Sequence, residues 1–309
     1  MRGPELRLDL GRTGTEAVTT PALPAFARGL CDDAAIFPPG LAPLSEAVPA
    51  HVRHVGSPYA ELVGPLVVSA ASLEELAGLV PVEDGHQLDL AVTLPEGPSG
   101  LPEVLGAVSA LPVRLRALEV AVPAPMTAAA LVEALDAAGV DETVEVFVEV
   151  PRDERRPEII AALPDTRYRA KFRTGGVKAE LYPDEAELAT AIEAVVAAGV
   201  PYKATAGLHH AIRNTDPETG FEQHGFLNLL LATDAALRGA DTDELVRLLA
   251  DRDGAAIAAR VAALPEERVL ATRAAFRSFG TCSISDPLTE LIALGLLPES
   301  VSPTYERTV

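Results

Sequence analysis

Three lysines stand out among the residues of this chain that could do chemistry. The sequence has 25 basic residues, of which 22 are arginine and only three are lysine: Lys171, Lys178 and Lys203. Arginine cannot replace lysine where a reaction needs a neutral amine as its nucleophile. The composition therefore indicates either that an amine is required at these positions or that three lysines survived a strong codon bias by chance.

Lys171 and Lys203 interrupt two consecutive predicted strands. Lys171 lies in Arg-Ala-Lys-Phe-Arg-Thr-Gly-Gly and Lys203 in Tyr-Lys-Ala-Thr-Ala-Gly-Leu, and strand pleating allows both side chains to point to one side. Two ammonium groups in a partly dry pocket repel each other, which lowers the pKa of at least one and supplies a free amine. A Schiff-base lysine needs such an amine, whereas two plain cations would bind a carboxylate or a phosphate. Lys178 follows a Gly-Gly turn and is expected to be exposed.

Two carboxylates interrupt valine-rich runs in the same way. Glu119 lies in Ala-Leu-Glu-Val-Ala and Glu149 in Phe-Val-Glu-Val-Pro, each near a predicted strand end. Facing inward, they would pair with the lysines or carry protons; facing outward, they would be solvated surface groups. Asp32 and Asp33 precede the first predicted strand, and their register places them toward the opposite face.

Glycine-bearing turns follow the lysine strands and the last predicted strand. Their backbone N–H groups could converge on an anion, and barrels often hold phosphate near strands seven and eight. Arg173 could add a side-chain fork to the same site. The predicted substrate-binding residues are Arg173, Thr174, Gly175, Gly176, Thr205, Gly207, His209, His210, Gly280, Thr281, Cys282 and Ser283.

The histidines allow a second interpretation. His209, His210 and His224 lie in or beside the segment after the seventh predicted strand, so they could ligate a divalent metal, contact substrate or be structural. Their spacing is not specific for zinc. His51, His54 and His86 have no motif around them.

Short apolar runs alternate with helical segments from about residue 30 onward, which is a βαβ pattern. Eight strands over roughly 250 residues favour an α/β fold of the (β/α)8 TIM barrel type over an open, doubly wound sheet. A Gly-x-Gly-x-x-Gly turn after the first strand is missing, which argues against a dinucleotide-binding fold. The predicted strands are 33–37, 65–70, 88–94, 115–122, 144–150, 168–174, 202–208 and 278–284.

We expect a single barrel domain over residues 1–309 with one large insertion. The stretch 209–267, after the seventh strand, exceeds one loop and one helix. It reads as a loop at 209–225 followed by helices at 226–237, 242–249 and 255–263. Residues 37–49 are expected to form a long proline-rich loop after the first strand.

The lysine motifs resemble those of class I aldolases of the deoxyribose-phosphate aldolase family, which are (β/α)8 barrels. Lys171-Phe172-Arg173-Thr174-Gly175 is similar to that family's sixth-strand Lys-x-x-Thr-Gly, which carries the Schiff-base lysine. Lys203-Ala204-Thr205-Ala206-Gly207 resembles its seventh-strand Lys-x-x-Gly-Gly, whose lysine tunes the first. Phe279-Gly280-Thr281-Cys282-Ser283 resembles its phosphate-contacting Phe-Gly-x-Ser-Ser. The resemblance covers residues 168–208 and 279–283, and Glu119 is the counterpart of the family's strand-four aspartate.

We therefore expect a class I lyase that needs no cofactor and acts on a small carbonyl compound, with or without a phosphate. Lys171 would form the iminium, Lys203 would tune Lys171, and Glu119 or Glu149 would move protons. One alternative is a metal-dependent barrel lyase or isomerase that uses the three clustered histidines. The other is a barrel without catalysis that binds a small anion or a protein.

Net charge, apolar runs and cysteine count limit which classes of partner and which compartment we expect. A formal net charge of −20 disfavours nucleic acid, which is itself a polyanion. Neither a run of about 18 apolar residues nor a signal-peptide core at the N-terminus is present, so we expect a cytoplasmic protein without a membrane partner. Cys31 and Cys282 cannot build a disulfide framework, which fits a reducing compartment. Homo-oligomers are compatible with the sequence.

Overall fold

Eight parallel strands close into a barrel in the computed structural model, which describes residues 22–80 and 87–303. Around the barrel the strands follow the order β1-β10-β7-β6-β5-β4-β3-β2, and β8 and β9 form a separate antiparallel hairpin. In chain order the strands are β1 (Cys31–Asp33), β2 (Val63–Ser69), β3 (Leu88–Leu94), β4 (Val113–Ala121), β5 (Glu145–Glu149), β6 (Arg169–Arg173), β7 (Tyr202–Thr205), β8 (Asn214–Thr215), β9 (Glu222–Gln223) and β10 (Phe276–Thr281).

Helices surround the barrel, and several begin at side-chain caps. Thr127 accepts a hydrogen bond from the N–H of Ala130, and Asp184 accepts one from Glu187. The α-helices are α1 (Leu44–Val55), α2 (Leu73–Leu76), α3 (Leu101–Ser109), α4 (Ala128–Ala137), α5 (Arg156–Ala161), α6 (Glu185–Ala197), α7 (Phe226–Leu237), α8 (Thr242–Ala250), α9 (Gly254–Ala262), α10 (Glu266–Ala275) and α11 (Ser285–Ala293). Short 3-10 turns lie at Ala60–Leu62, Ala70–Ser72, Pro98–Gly100, Ala179–Leu181 and Glu299–Val301.

Alternation along each strand separates two environments. On β5, Val146 and Val148 belong to the large apolar layer that lies between strands and helices, whereas Phe147 belongs to a small cluster within the barrel. On the outer side of β7 and β10, Tyr202 donates to or accepts from Thr233 of α7 at 2.6 Å, and Phe279 stacks on Phe226 of the same helix. These contacts hold α7 against β7, which carries Lys203, and against β10.

The α/β barrel predicted from the sequence is confirmed, with shifts at its edges. The first strand is Cys31–Asp33, earlier than the predicted 33–37, and α1 begins at Leu44 inside the predicted 37–49 loop. Pro49 lies inside this helix beyond its first turn, where it removes one intrahelical N–H donor.

The predicted insertion after the seventh strand contains the three expected helices, α7, α8 and α9. Two features were missed: the β8–β9 hairpin within the predicted loop, and α10, which leads directly into β10. Residues 226–235 of α7 are all buried because this helix lies between the barrel and its neighbouring helices.

Some predictions fall on residues outside the described ranges. These are the signal-peptide expectation for the N-terminus, the outer limits of the 1–309 domain and His86. Within residues 22–80 and 87–303, no helix has both the length and the apolar character needed to cross a bilayer.

Candidate active site: a chain of ion pairs inside the barrel

Alternating cations and carboxylates run through the interior of the barrel. All are brought to the same side of the sheet by strand alternation, because residues two apart on a strand share a face. Register places Lys171 beside both Lys203 and Glu149. We call this set the ion-pair chain; its members, in order of contact, are Asp32, Lys203, Glu119, Lys171, Glu149 and Arg173.

The deep half of the chain is centred on Lys203. Its Nζ donates to Asp32 Oδ2 and to Glu119 Oε1, each at 2.5 Å. Ser278 Oγ donates to the same Asp32 oxygen at 2.7 Å. Only 1% of the Lys203 side chain is exposed, so this ammonium is held by two carboxylates rather than by water.

The outer half approaches the carboxyl ends of the strands, where barrel enzymes carry out their chemistry. Lys171 Nζ lies 2.7 Å from Glu119 Oε2 and 3.0 Å from Glu149 Oε2. Arg173 Nε donates to Glu149 Oε1 at 3.0 Å. Side-chain exposure rises from 4% at Lys171 to 23% at Glu149 and 36% at Arg173. Lys171 is therefore the lysine nearer to the barrel mouth.

The three carboxylates differ in their pKa. Burial by itself raises the pKa of Glu119, but the charges and hydrogen bonds of Lys171 and Lys203 outweigh it and bring the pKa to about 2. Burial is likewise outweighed at Glu149, where Lys171 and Arg173 lower the pKa. At Asp32 burial is the largest effect and the pKa is raised, because Lys203 offsets it only in part. Glu119 is thus firmly ionised, and Asp32 holds a proton more readily.

The pKa shifts of the two lysines run opposite to the expectation from the sequence. Repulsion between two ammonium groups was expected to lower the pKa of at least one of them. Burial does act in that direction, but Glu119 and Glu149 outweigh it and raise the pKa of Lys171. Asp32 and Glu119 raise the pKa of Lys203 in the same way. A carboxylate between the two lysines therefore replaces repulsion by attraction, and a neutral amine requires a proton to leave Lys171.

Asp32 was assigned to the wrong face by the sequence reasoning. With the first strand at Cys31–Asp33, Asp32 points inward and Asp33 points outward, where its Oδ2 lies 2.9 Å from His51 Nδ1. A signal for this was available, because one of two consecutive strand residues must face inward. Gly64 makes room for Asp32, since a Cβ at Gly64 would lie 2.1 Å from Asp32 Oδ1.

The glycines after β6 and β7 serve close packing. A Cβ on Gly175 would lie 2.8 Å from the Cα of Gly207, and both glycines contact the ring of Tyr182. Gly176 packs in the same way against Leu181. The Thr174 hydroxyl donates to the carbonyl of Ala206 at 2.6 Å, which ties the two strand ends together. The structure therefore gives Thr174 and these glycines a supporting role, and the anion cradle that their N–H groups would form stays a prediction.

The turn after β10 is also internally bonded. Thr281 Oγ1 donates to the carbonyl of Ser283 and accepts from its N–H, and Ser283 Oγ accepts from the N–H of Asp286. The hydroxyl groups of Thr281 and Ser283 are therefore already hydrogen-bonded within the turn. Gly280 lies inside the barrel near Thr205, whose Oγ1 would be 3.3 Å from a Cβ at position 280. Gly280 and Thr205 remain at the mouth, where a substrate could reach them.

The three clustered histidines have different partners. His209 Nδ1 lies 3.5 Å from Cys282 Sγ, His210 Nδ1 lies 2.6 Å from Glu290 Oε1, and His224 Nε2 donates to the carbonyl of Pro183 at 2.8 Å. Burial lowers the pKa of His209, and lowers that of His224 to about 4, while the hydrogen bond to Glu290 raises that of His210. In the described part of the chain, no group of three or more histidine, cysteine or acidic side chains is arranged to hold a metal ion. The histidine-based metal hypothesis has no support from this arrangement.

Cys282 lies beside His209 but does not form an ion pair with it. Burial raises the pKa of the Cys282 thiol and lowers that of the imidazole. Both groups are therefore neutral near pH 7, which is the reverse of an activated thiolate.

Comparison with protein-family models and with curated proteins found no match to this chain. No family match supports an assignment to the deoxyribose-phosphate aldolases. The conclusions about function accordingly rest on the barrel and on the geometry of the ion-pair chain.

Proposed function

We propose that this protein is a class I lyase in which Lys171 forms a Schiff base with a small carbonyl compound at the carboxyl end of the barrel. The observation that carries the proposal is the position of Lys171, bound to Glu119 and Glu149 at the outer end of a buried chain of ion pairs. An amine at this place has two carboxylates within 3.0 Å and lies next to the more exposed end of the chain at Glu149 and Arg173.

The first step requires a neutral amine. A proton leaves Lys171 Nζ for water at the exposed end of the ion-pair chain, because Glu119 and Glu149 both have a lowered pKa and stay ionised. The nitrogen lone pair then attacks the carbonyl carbon. The carbonyl oxygen takes up protons and leaves as water, and the nitrogen becomes an iminium.

Charge balance favours this intermediate. An iminium has the same single positive charge as the ammonium that it replaces, so Glu119 and Glu149 keep a cation between them. Lys203 holds the other oxygen of Glu119 and keeps that carboxylate ionised. The buried chain therefore tolerates the intermediate without leaving an uncompensated charge, which would be costly inside a protein.

Carbon–carbon cleavage then uses the iminium as an electron sink. The bond next to the α-carbon breaks, its electron pair neutralises the nitrogen and forms an enamine, and the β-hydroxyl gives its proton to a base. Glu149 is the carboxylate at the mouth that can take this proton and return one to the enamine. Arg173 binds Glu149 through Nε alone, which leaves its Nη groups to hold an anionic end of the substrate.

The test is intact-mass spectrometry after borohydride reduction in the presence of a panel of small aldehydes, ketones and keto acids. We expect a reduced adduct on the native chain that maps to Lys171. Lys171→Met and Lys171→Arg should both abolish it, because neither supplies a primary amine. Lys178→Met is the matched control and should retain the adduct, since Lys178 is an exposed lysine that pairs with Glu180.

Two outcomes would contradict the proposal. An adduct that maps to Lys203 and survives Lys171→Met would show that the wrong lysine has been chosen. Absence of an adduct with every carbonyl in the panel would remove the Schiff-base mechanism and favour a barrel that binds anions without catalysis.

A further inference from the structure

The amino-terminal end of the barrel holds a concave region, opposite the end at which β6 carries Arg173. Its cavity has a volume of about 1110 Å³. It is bounded by the first residues of several strands, among them Gly64 of β2, Asp89 of β3 and Glu145 of β5. Asp32, Ala117 and Phe147, from the barrel interior, lie at its inner end. The cavity is large enough for a small organic molecule.

Arginines dominate the charge of this cavity, although the whole chain has a formal charge of −20. Its lining includes five arginines and three carboxylates, and one of those carboxylates, Asp32, is already bound to Lys203. We call it the arginine cavity; the five arginines are Arg28, Arg114, Arg116, Arg273 and Arg277.

The two remaining carboxylates are each shared between two arginines. Asp89 lies 2.5 Å from Arg114 and 3.8 Å from Arg116, and Glu145 pairs with Arg277 and with Arg169. Four guanidinium groups thus have two carboxylates between them. Arg28 has a separate partner in Glu61, 3.5 Å away. Among the described residues, the positive charge of the cavity is therefore not balanced by the carboxylates that line it.

Arg273 shows the same deficit of anionic partners. In the described residues its guanidinium binds only backbone carbonyl groups, those of Phe276, Arg28 and Gly29, and its Nε is buried without a partner. Burial and, after it, the charge of the neighbouring Arg277 lower the pKa of Arg273 to about 10. A buried donor of this kind is costly unless something binds it.

Apolar side chains form another part of the wall. Val52 and Val55 of α1 and Leu270 of α10 are 41%, 47% and 55% exposed, and all three line the cavity. Phe147 adds an aromatic ring at the inner end. The cavity therefore combines guanidinium groups with an apolar surface.

We propose that the arginine cavity is a binding site for an organic anion that carries a carboxylate or phosphate group on an apolar body. Guanidinium groups match both anions through paired hydrogen bonds, and Val52, Val55 and Leu270 would cover the rest of the molecule. This site is separate from the Schiff-base chemistry and does not depend on it.

The test is isothermal titration calorimetry of the full chain with three probes: phenyl phosphate, inorganic phosphate and phenol. We expect phenyl phosphate to bind more tightly than either of the others, because it alone offers both features. Arg116→Gln should weaken its binding about tenfold, since a charged hydrogen bond is lost. Leu270→Ala should weaken the binding of phenyl phosphate and leave that of inorganic phosphate unchanged. Both side chains are more than half exposed, so both variants should fold.

Two control variants locate the bound anion. Arg53→Gln removes the same charge from an exposed arginine of α1 that does not line the cavity, and it should leave binding unchanged. Arg173→Gln removes the arginine at the other end of the barrel and should also leave it unchanged. Binding that is lost in Arg173→Gln and kept in Arg116→Gln would overturn the proposal, as would the absence of any binding of phenyl phosphate.

Discussion

The two ends of the barrel differ in their buried and half-buried cations: lysines lie in the ion-pair chain and arginines line the amino-terminal cavity. Toward the carboxyl end, Lys171 and Lys203 alternate with three carboxylates, and every ammonium has two acidic partners. Toward the amino end, arginines outnumber the carboxylates that face them. Asp32 belongs to both regions, because it binds Lys203 and lines the arginine cavity.

The ion-pair chain contains cations that can lose a proton, whereas the cations of the arginine cavity keep theirs. A lysine can give up its proton when its surroundings change, whereas arginine stays charged in proteins. In a chain with 22 arginines, both of the buried lysines lie in the ion-pair chain and the third is on the surface. The proposed Schiff-base chemistry needs a proton to leave a lysine, whereas the proposed anion site needs only the fixed charge of arginine.

The largest expected effect on stability comes from removing the inner ammonium. Lys203→Met leaves Asp32 and Glu119 buried without the cation that both of them bind. We expect the free energy of unfolding to fall by about 3–5 kcal/mol, the range for breaking a buried ion pair on one side. Chemical denaturation at pH 7 measures it.

Lys178→Met is the matched control for this prediction. Lys178 is an exposed lysine 3.9 Å from one carboxylate oxygen, and its loss should change stability by less than about 0.5 kcal/mol. Equal losses in the two variants would show that the inner ion pairs contribute nothing particular to the fold.

A smaller effect is expected on the pH dependence of adduct formation. Glu119 and Glu149 raise the pKa of Lys171, so at neutral pH the amine is almost entirely protonated and the adduct forms faster as the pH rises. Glu149→Gln removes one of these charges and lowers the pKa of Lys171. The rate of borohydride-trapped adduct formation at pH 7 should therefore rise, by roughly 3- to 10-fold.

Turnover should fall in the Glu149→Gln variant, although its adduct forms faster. If Glu149 carries protons in the later steps, Glu149→Gln slows product release from the intermediate although the adduct forms faster. Glu180→Gln, at the exposed lysine pair, should change neither rate. A Glu149→Gln variant with a slower adduct rate would show that Glu149 activates Lys171 and does not restrain it.

The smallest effect is expected at the arginine cavity. Arg116→Lys keeps the positive charge and loses the planar fork, so phenyl phosphate binding should weaken only about threefold, against about tenfold for Arg116→Gln. Titration calorimetry at pH 7.5 and pH 9 should give similar affinities, because over this range phenyl phosphate stays a dianion and the arginines stay charged. An Arg116→Lys variant as weak as Arg116→Gln would mean that the fork decides binding there, and that fixed charge is not the distinction between the two ends.

Much of the barrel could be predicted because its pattern is local. Alternation of short apolar runs and amphipathic helices is visible along the chain, and strand β3 was predicted at its observed bounds. The first strand could not be placed in the same way, since Cys31–Asp33 is three residues long and two of them are acidic. Residues 31–33 form a strand because β2 and β10 pair with them on either side, and those partners are distant in the sequence.

The site was predicted in its residue types and only partly in its arrangement. Lys171, Lys203, Glu119 and Glu149 were identified because each interrupts an apolar strand, and the structure brings all four together. The glycine turns were interpreted as an anion cradle, which stays a prediction, whereas their packing against the Tyr182 ring could not be seen in the sequence. The histidines were grouped because they are close in sequence, whereas their partners are Cys282, Glu290 and Pro183.

The sequence by itself determined the strands and helices and which few side chains could supply an amine or a carboxylate to the barrel interior. Only the tertiary structure decided which of these groups touch, and with that the direction in which each pKa moves. Asp32 and Lys203 are 171 positions apart, yet their atoms are 2.5 Å apart. Electrostatic energy depends on distance in space and on burial, and neither quantity is defined until the strands have closed into the barrel.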